Sequence, residues 1–159
     1  MRKHLSSFIF HLSSRKGFTL IELLVAISII GVLSSFLLAN FVGVRQRARD
    51  GVRKSDLRQI QSALELYRSD KGAYPLTASF PSCSSQFTDG ATPPVIYMQK
   101  IPCDPTNAGQ YIYTYSLSGS TYNLYACLEN VNDSQKDSSN NSTYCTGGTT
   151  NWSYTLQNP

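Results

Sequence analysis

Histidine is missing from residues 17–159, because His4 and His11 both lie in the first sixteen residues. Histidine is the usual general base near neutral pH and a common zinc ligand. If the first residues are removed as a leader, Ser-His and Cys-His nucleophile pairs and His-ligated metals are disfavoured. No paired carboxylate motif or Gly-rich phosphate loop stands out in their place. We therefore predict no catalytic residues and no enzyme.

Charge is also scarce, since 15% of the 159 residues are charged against roughly 25% in an ordinary soluble domain. The formal net charge of +4 comes from Arg2, Lys3, Arg15 and Lys16, and the remaining residues carry ten basic and ten acidic groups. The excess thus gives no indication of a nucleic-acid-binding domain. The apolar fraction of 41% argues against disorder of the whole chain, and the length suits one domain.

Charged residues are missing entirely from Leu23 to Val44, a run of twenty-two residues. As a helix this run would be about 33 Å long, close to the roughly 30 Å hydrocarbon core of a membrane. It is longer than the apolar part of a secretory signal peptide, and no A-x-A-like cleavage site follows it. We therefore expect a transmembrane helix, with an ordinary single-pass anchor as one interpretation of it.

A basic cluster follows this run, formed by Arg45, Arg47, Arg49, Arg53, Lys54 and Arg58. Because basic residues flank the run on both sides, their count does not fix its orientation. The cysteine-containing, Ser/Thr/Asn-rich remainder favours export of the C-terminal part. The cluster is interpreted as a solvated helix face, with lipid head groups or acidic faces of neighbouring subunits as alternatives. Nucleic acid is an unlikely partner, because no aromatic residues are interleaved with the charges.

The segment Lys16-Gly17-Phe18-Thr19-Leu20-Ile21-Glu22-Leu23 resembles the cleavage and assembly signature of type IV pilins and of type II secretion pseudopilins. The resemblance implies that a prepilin peptidase cuts after Gly17 and methylates the new terminal amine of Phe18. Residues 1–17 would be a cleaved leader, and the apolar helix would stay on the mature protein. Glu22 would pair with the terminal ammonium of a neighbouring subunit and set the register of a filament. Charge alone offers another role, because an acidic residue at a helix start complements the helix dipole.

Residues 66–75 and 94–105 are similar to the helix exit and the following loop of the major-pseudopilin branch. One departure is Ala39, where many relatives have proline. The resemblance implies a structural subunit that polymerises with other pilin subunits through its N-terminal helix. Its partners would be the prepilin peptidase, a membrane assembly platform and, before assembly, membrane lipid. Its location would be a single pass in the inner membrane with the C-terminal part exported, then a periplasmic or cell-surface filament.

The fold class expected is α+β: a long N-terminal helical spine, with a membrane half over 18–44 and an amphipathic half to about residue 71, packed on a small antiparallel sheet. Together with the leader this gives the domain division 1–17, 18–44 and 45–159. Apolar residues recur at helical spacing in the amphipathic half, and Gly72 and Pro75 should end the helix. These apolar residues are Val52, Leu57, Ile60, Ala63, Leu64 and Tyr67, while Arg53, Arg58, Glu65 and Arg68 are expected in other sectors.

A proline-rich connection over 72–110 should carry short helices or a disulfide rather than long elements. Alternating residues then predict a hairpin of 110–117 and 121–128, with its tyrosines packed against the helix. The polar residues 130–151 read as a surface loop. The segment 152–156 is expected to be the last strand of the sheet.

Four cysteines, with no C-x-x-C pair, favour disulfides over a zinc site in an exported domain. Three connectivities are possible, and we favour Cys83–Cys103 with Cys127–Cys145, because each bond would close a loop that lacks other restraint. The second would resemble the C-terminal cystine of the pilin family.

Glu129, Asp133 and Asp137 lie in the polar C-terminal region, where the pseudopilin branch often binds calcium, which prefers oxygen ligands. They match no ligand pattern, so a solvated acidic loop is favoured and no metal site is predicted. The alternative to a filament subunit is a membrane-anchored extracytoplasmic binding or sensor module that does not polymerise.

Overall fold

The computed structural model describes residues 17–147 and 149–159. The predicted leader therefore lies outside the described residues, except for Gly17. The chain divides after Asn40 into two compact units. A single helix, α1, covers Leu20–Lys71 and contributes to both units. It is helical at Ala39, the position at which the sequence departs from the expected proline.

The amphipathic half of α1 carries one side of the core of the C-terminal unit, 41–159. Leu57, Ile60, Ala63 and Leu64 are buried, and Tyr67 packs against them, as their spacing predicts. Two expectations for this half were wrong. Val52 is 47% exposed, and Arg53, expected to face outward, is fully buried. Arg53 is buried because it forms ion pairs with three carboxylates.

The end of α1 follows the predicted stop signal. The N–H of Gly72 donates to the carbonyl of Arg68 at 2.8 Å, and Gly72 has a φ of +75°. This left-handed conformation is one that glycine adopts without strain, which makes glycine the usual residue after a helix.

Two antiparallel sheets follow α1. The first joins β1, Phe87–Thr88, to β2, Ile96–Met98. The second has the order β3-β4-β5, formed by Thr114–Ser118, Thr121–Leu128 and Trp152–Gln157. The predicted hairpin and last strand are therefore present, although β3 begins at Thr114 rather than at residue 110. A tight turn joins β3 to β4 and contains Gly119 at φ +62°.

The three-stranded sheet packs its apolar face on α1. Tyr122, Leu124, Ala126 and Leu128 alternate along β4, and all four are buried in the core that also contains the apolar residues of α1. Tyrosine hydroxyls reach polar partners from this core. Tyr122 and Tyr74 donate to Glu65 on α1 at 3.0 and 2.8 Å. The tyrosines therefore join the sheet to the helix through both ring packing and hydrogen bonds.

The connection 72–110 holds a short 3-10 helix at Thr77–Ser79 as well as β1 and β2. It is fixed at several points. A disulfide joins Cys83 to Cys103, with a Cα–Cα distance of 5.0 Å, and Phe87 is buried in the core. Asp89 accepts from Lys71 at 2.7 Å and from two backbone N–H groups. These hydrogen bonds lower the pKa of Asp89 to about 2.

Candidate assembly site

The predicted cleavage and assembly residues lie at the start of α1. Thr19 caps the helix: its hydroxyl accepts from the N–H of Glu22 at 3.3 Å, and its own N–H donates to the Glu22 carboxylate at 2.8 Å. The Thr19 hydroxyl also donates to Glu22 at 2.7 Å. This reciprocal arrangement is a capping box. The sequence signal for it is the Thr-x-x-Glu pattern of Thr19 and Glu22.

Gly17 and Phe18 are exposed next to this cap, and the Phe18 side chain is 90% exposed. A Cβ built on Gly17 has no other atom within 4 Å. The fold therefore gives no steric reason for glycine at position 17.

The residues after the cap form an apolar and uncovered stretch of helix. Leu20–Leu37 is long and apolar enough to cross a membrane, and none of its residues is buried in the structure. Large apolar side chains such as Ile21, Ile30 and Leu33 are each more than half exposed. A helix that is apolar all round needs a lipid or protein environment around it.

The basic cluster that follows this stretch separates into two halves. Arg49, Arg53 and Lys54 form ion pairs with carboxylates of the C-terminal unit. The other three side chains are exposed, namely Arg45, Arg47 and Arg58. The interpretation of the whole cluster as a solvated face was therefore wrong for half of it. Sequence spacing could not show this, because the acidic partners other than Asp50 lie more than fifty residues further along the chain.

Arg53 is the centre of the paired half. Its Nε and Nη2 donate to the two oxygens of Asp104 at 2.7 and 3.0 Å, and its Nη1 donates to Asp50 at 2.7 Å and to Glu129 at 2.8 Å. Nη2 also donates to the hydroxyl of Thr106 at 3.1 Å. All five N–H donors of the guanidinium are thus used. Burial alone would lower the pKa of Arg53, but these hydrogen bonds to carboxylates raise it above the ordinary value.

The same network holds the start of the polar loop. Asp50 accepts the N–H groups of Glu129 and Asn130 at 2.9 and 2.8 Å. Arg49 donates to Glu129 through its Nε at 2.6 Å and through its Nη2. The Arg49 hydrogen bonds, followed by those of Arg53, lower the pKa of Glu129. We call Arg49, Asp50, Arg53, Asp104 and Glu129 the ion cluster.

The two favoured cysteine pairs are those that the structure joins. Cys127 in β4 and Cys145 in the polar loop form a disulfide with a Cα–Cα distance of 5.5 Å, and both residues are buried.

The acidic residues considered for calcium are Glu129, Asp133 and Asp137. Within 17–147 and 149–159, no three His, Cys, Asp or Glu side chains are grouped so that they could hold a metal ion.

The chain has an exposed apolar helix that begins at a motif resembling a prepilin cleavage site, and it has a disulfide-bonded α+β unit. These features define the class of prepilin-type membrane-anchored proteins. Comparison with protein families agrees. The family described as "Prokaryotic N-terminal methylation motif" matches residues 12–38. The family described as "Type II secretion system (T2SS), protein G" matches residues 40–143.

The chain therefore belongs to the type II secretion system protein G family, whose members are structural pseudopilins. Curated relatives named "Type II secretion system core protein G" support this. The Klebsiella michiganensis protein is 32% identical over 99 residues, covering 58% of this chain and 68% of the relative. The Escherichia coli protein is 33% identical over 98 residues, covering 57% and 66%. The Pseudomonas aeruginosa protein is 32% identical over 104 residues, covering 62% and 73%. No solved structure matches the chain.

Proposed function

We propose that this chain is a structural subunit of a type II secretion pseudopilus, cleaved by a prepilin peptidase and polymerised through its N-terminal helix. The observation that carries the proposal is the uncovered apolar helix directly after the Gly17–Glu22 motif. In lipid the helix serves as a single-pass anchor in the inner membrane, with the C-terminal unit exported. In the filament, helices of neighbouring subunits replace the lipid. Because both surroundings are apolar, packing and polar contacts decide the order of assembly.

The peptidase step is supported by the exposure of Gly17 and Phe18. Since the fold has room for a side chain at position 17, we assign the glycine to recognition by the peptidase. Cleavage after Gly17 leaves Phe18 as the terminal residue, whose amine is then methylated. This step sets the boundary between the leader, 1–17, and the assembly helix, 18–44, while the end of the charge-free run at Val44 sets the boundary to the exported unit, 45–159. A membrane assembly platform would then move the subunit from lipid into the filament.

The role proposed for the rest of the chain is mechanical rather than catalytic. The buried carboxylates of the C-terminal unit are held by arginines, tyrosines and backbone N–H groups, which is the arrangement of a structural network. The exposed Arg45 and Arg47, which follow the apolar stretch in the sequence, are suited to contact phosphate head groups before assembly.

Glu22 has two separable roles, the cap seen in this chain and the proposed contact with the terminal ammonium of a neighbour. The contact sets register rather than strength, because desolvation of the two charges opposes their attraction. Glu22→Gln keeps an oxygen that can accept the Thr19 N–H and removes the charge. Thr19→Ala removes the capping hydroxyl, at a cost of about 1 kcal/mol to the helix, and keeps the charge.

We predict that Glu22→Gln abolishes filaments and that Thr19→Ala retains them. The measurement is the amount of protein in filaments sheared from cells, relative to the amount in membranes. Equal membrane levels of the two variants provide the control for folding and export. If Glu22→Gln forms normal filaments while Thr19→Ala does not, Glu22 acts only as a helix cap and the register role is wrong.

A further inference from the structure

The polar loop that follows β4, described here over residues 129–147, covers the free edge of β5. Because the sheet order is β3-β4-β5, one side of β5 has no neighbouring strand in that sheet, and such edges expose unpaired N–H and C=O groups. The Asp137 N–H donates to the carbonyl of Ser153 at 3.0 Å. The Ser153 N–H donates to Asn140 Oδ1 at 2.9 Å, and the Thr155 N–H donates to Asp137 Oδ1 at 3.0 Å. Two loop side chains and one loop N–H thus take the place of a fourth strand.

Asp137 uses both carboxylate oxygens in this contact. Its Oδ2 accepts the hydroxyl of Ser153 at 2.6 Å and the hydroxyl of Thr155 at 2.7 Å, in addition to the backbone contact of Oδ1. Three donors from one strand therefore converge on a single carboxylate. A cation bound to Asp137 would compete with these donors for the oxygens that hold the strand.

The other two acidic residues considered for calcium are occupied by cations of the protein. Glu129 belongs to the ion cluster, where Arg49 and Arg53 bind it. Asp133 accepts Lys54 Nζ at 2.8 Å through one oxygen and the Gln135 N–H at 2.8 Å through the other. Calcium needs six to eight oxygen ligands. Bringing these carboxylates together around it would break the ion pairs and uncover β5, so these residues do not fit the calcium that the family resemblance implies.

A covalent bond supplies the remaining restraint. The disulfide between Cys127 and Cys145 joins β4 to the same loop, and both cysteines are buried. The loop is thereby held at three places: by the ion cluster at its start, by Asp137 on β5, and by the disulfide near its end. Each of these restraints is made by groups of the chain itself.

We propose that the polar loop keeps β5 in place without calcium, with Asp137 and the Cys127–Cys145 disulfide supplying the restraint. The stability of the C-terminal unit is therefore independent of calcium and dependent on the disulfide. This inference concerns folding alone, so it stands or falls separately from filament assembly.

Thermal unfolding of the full chain in detergent, with millimolar calcium or with excess EGTA, tests the proposal. We expect the same Tm in both buffers. Asp137→Ala should lower Tm equally in both buffers, because it removes hydrogen bonds and not a metal ligand. Asp133→Ala is the matched control: it removes the same charge from the same loop but leaves the β5 edge covered, so its Tm should fall less. A calcium-dependent rise in Tm that Asp137→Ala abolishes would overturn the proposal.

A second arm covers the case in which Asp137→Ala fails to fold. Hydrogen exchange of the wild-type chain at the Ser153 and Thr155 amides should be equally slow in calcium and in EGTA. The double variant Cys127→Ser/Cys145→Ser should exchange faster at both amides, again equally in the two buffers. If calcium slows exchange in the wild-type chain, or restores protection in the double variant, a cation holds the loop and the inference is wrong.

Discussion

Arg53 joins α1 to two segments that follow it far along the sequence, around Asp104 and Glu129. The guanidinium suits this position because it is planar and offers five donors in a fixed arrangement, whereas a lysine ammonium offers three at one point. Two donors hold both oxygens of Asp104, and the others reach Asp50, Glu129 and Thr106. Removal of one of these groups leaves buried charges without a partner, which is costly.

Arg53→Lys is expected to destabilise the C-terminal unit by about 3 kcal/mol, the lower end of the range for breaking a buried ion pair. The fork to Asp104 cannot be remade by an ammonium, even though the charge is kept. Denaturant unfolding of the full chain in detergent measures the change. Arg58→Lys is the control, because Arg58 is exposed on the same helix and its replacement should change stability by less than about 0.5 kcal/mol. Equal effects of the two substitutions would contradict a special role for the guanidinium.

Sequence patterns could not identify Arg53 as buried. Helical periodicity assigns apolar residues to the buried face of a helix and charged residues to the exposed face, so an arginine is predicted to be exposed. Its burial depends on carboxylates at positions 104 and 129, which the chain brings close only through the fold of the connection and of the sheet. The same limit applies to Asp137, whose partners on β5 are set by the path of the polar loop.

At the scale of elements, the helix end and the β4 strand were predictable, because local signals specify them. Gly72 and Pro75 stop α1, and the alternation from Tyr122 to Leu128 matches the buried face of β4. The strands β1 and β2 were not predicted. They are two and three residues long, too short for a period to show. Two contacts outside these strands also hold the connection that contains them, namely the Cys83–Cys103 disulfide and the Lys71–Asp89 ion pair.

Gly51 offers a test of helix energetics within α1. It is exposed inside the helix, and a Cβ built on it has no other atom within 4 Å. Gly51→Ala should therefore stabilise the C-terminal unit by about 1 kcal/mol, since alanine costs less backbone entropy in a helix. The expected result is a higher Tm for the full chain in detergent. An unchanged or lower Tm would show that the helix around residue 51 is not regular in solution.

At the scale of the whole molecule, the two units differ in how they satisfy their apolar side chains. The unit 41–159 buries its own core and ties its loops with two disulfides. The unit that ends at Asn40 leaves the apolar residues of Leu20–Leu37 uncovered. The apolar stretch Leu20–Leu37 therefore needs lipid or other protein chains around it. Because the chain belongs to the protein G family, we propose that lipid surrounds this stretch before assembly and that neighbouring subunits surround it in the filament.

The central claim is that the apolar helix is trimmed at its start and retained for assembly. Mass spectrometry of the protein purified from cells that contain a prepilin peptidase tests it most directly. We predict a chain that begins at a singly methylated Phe18 and keeps residues 18–44. We also predict that Gly17→Val leaves the leader attached. A product that begins at Met1 in the presence of the peptidase, or one that begins after Asn40 with the helix removed, would contradict it.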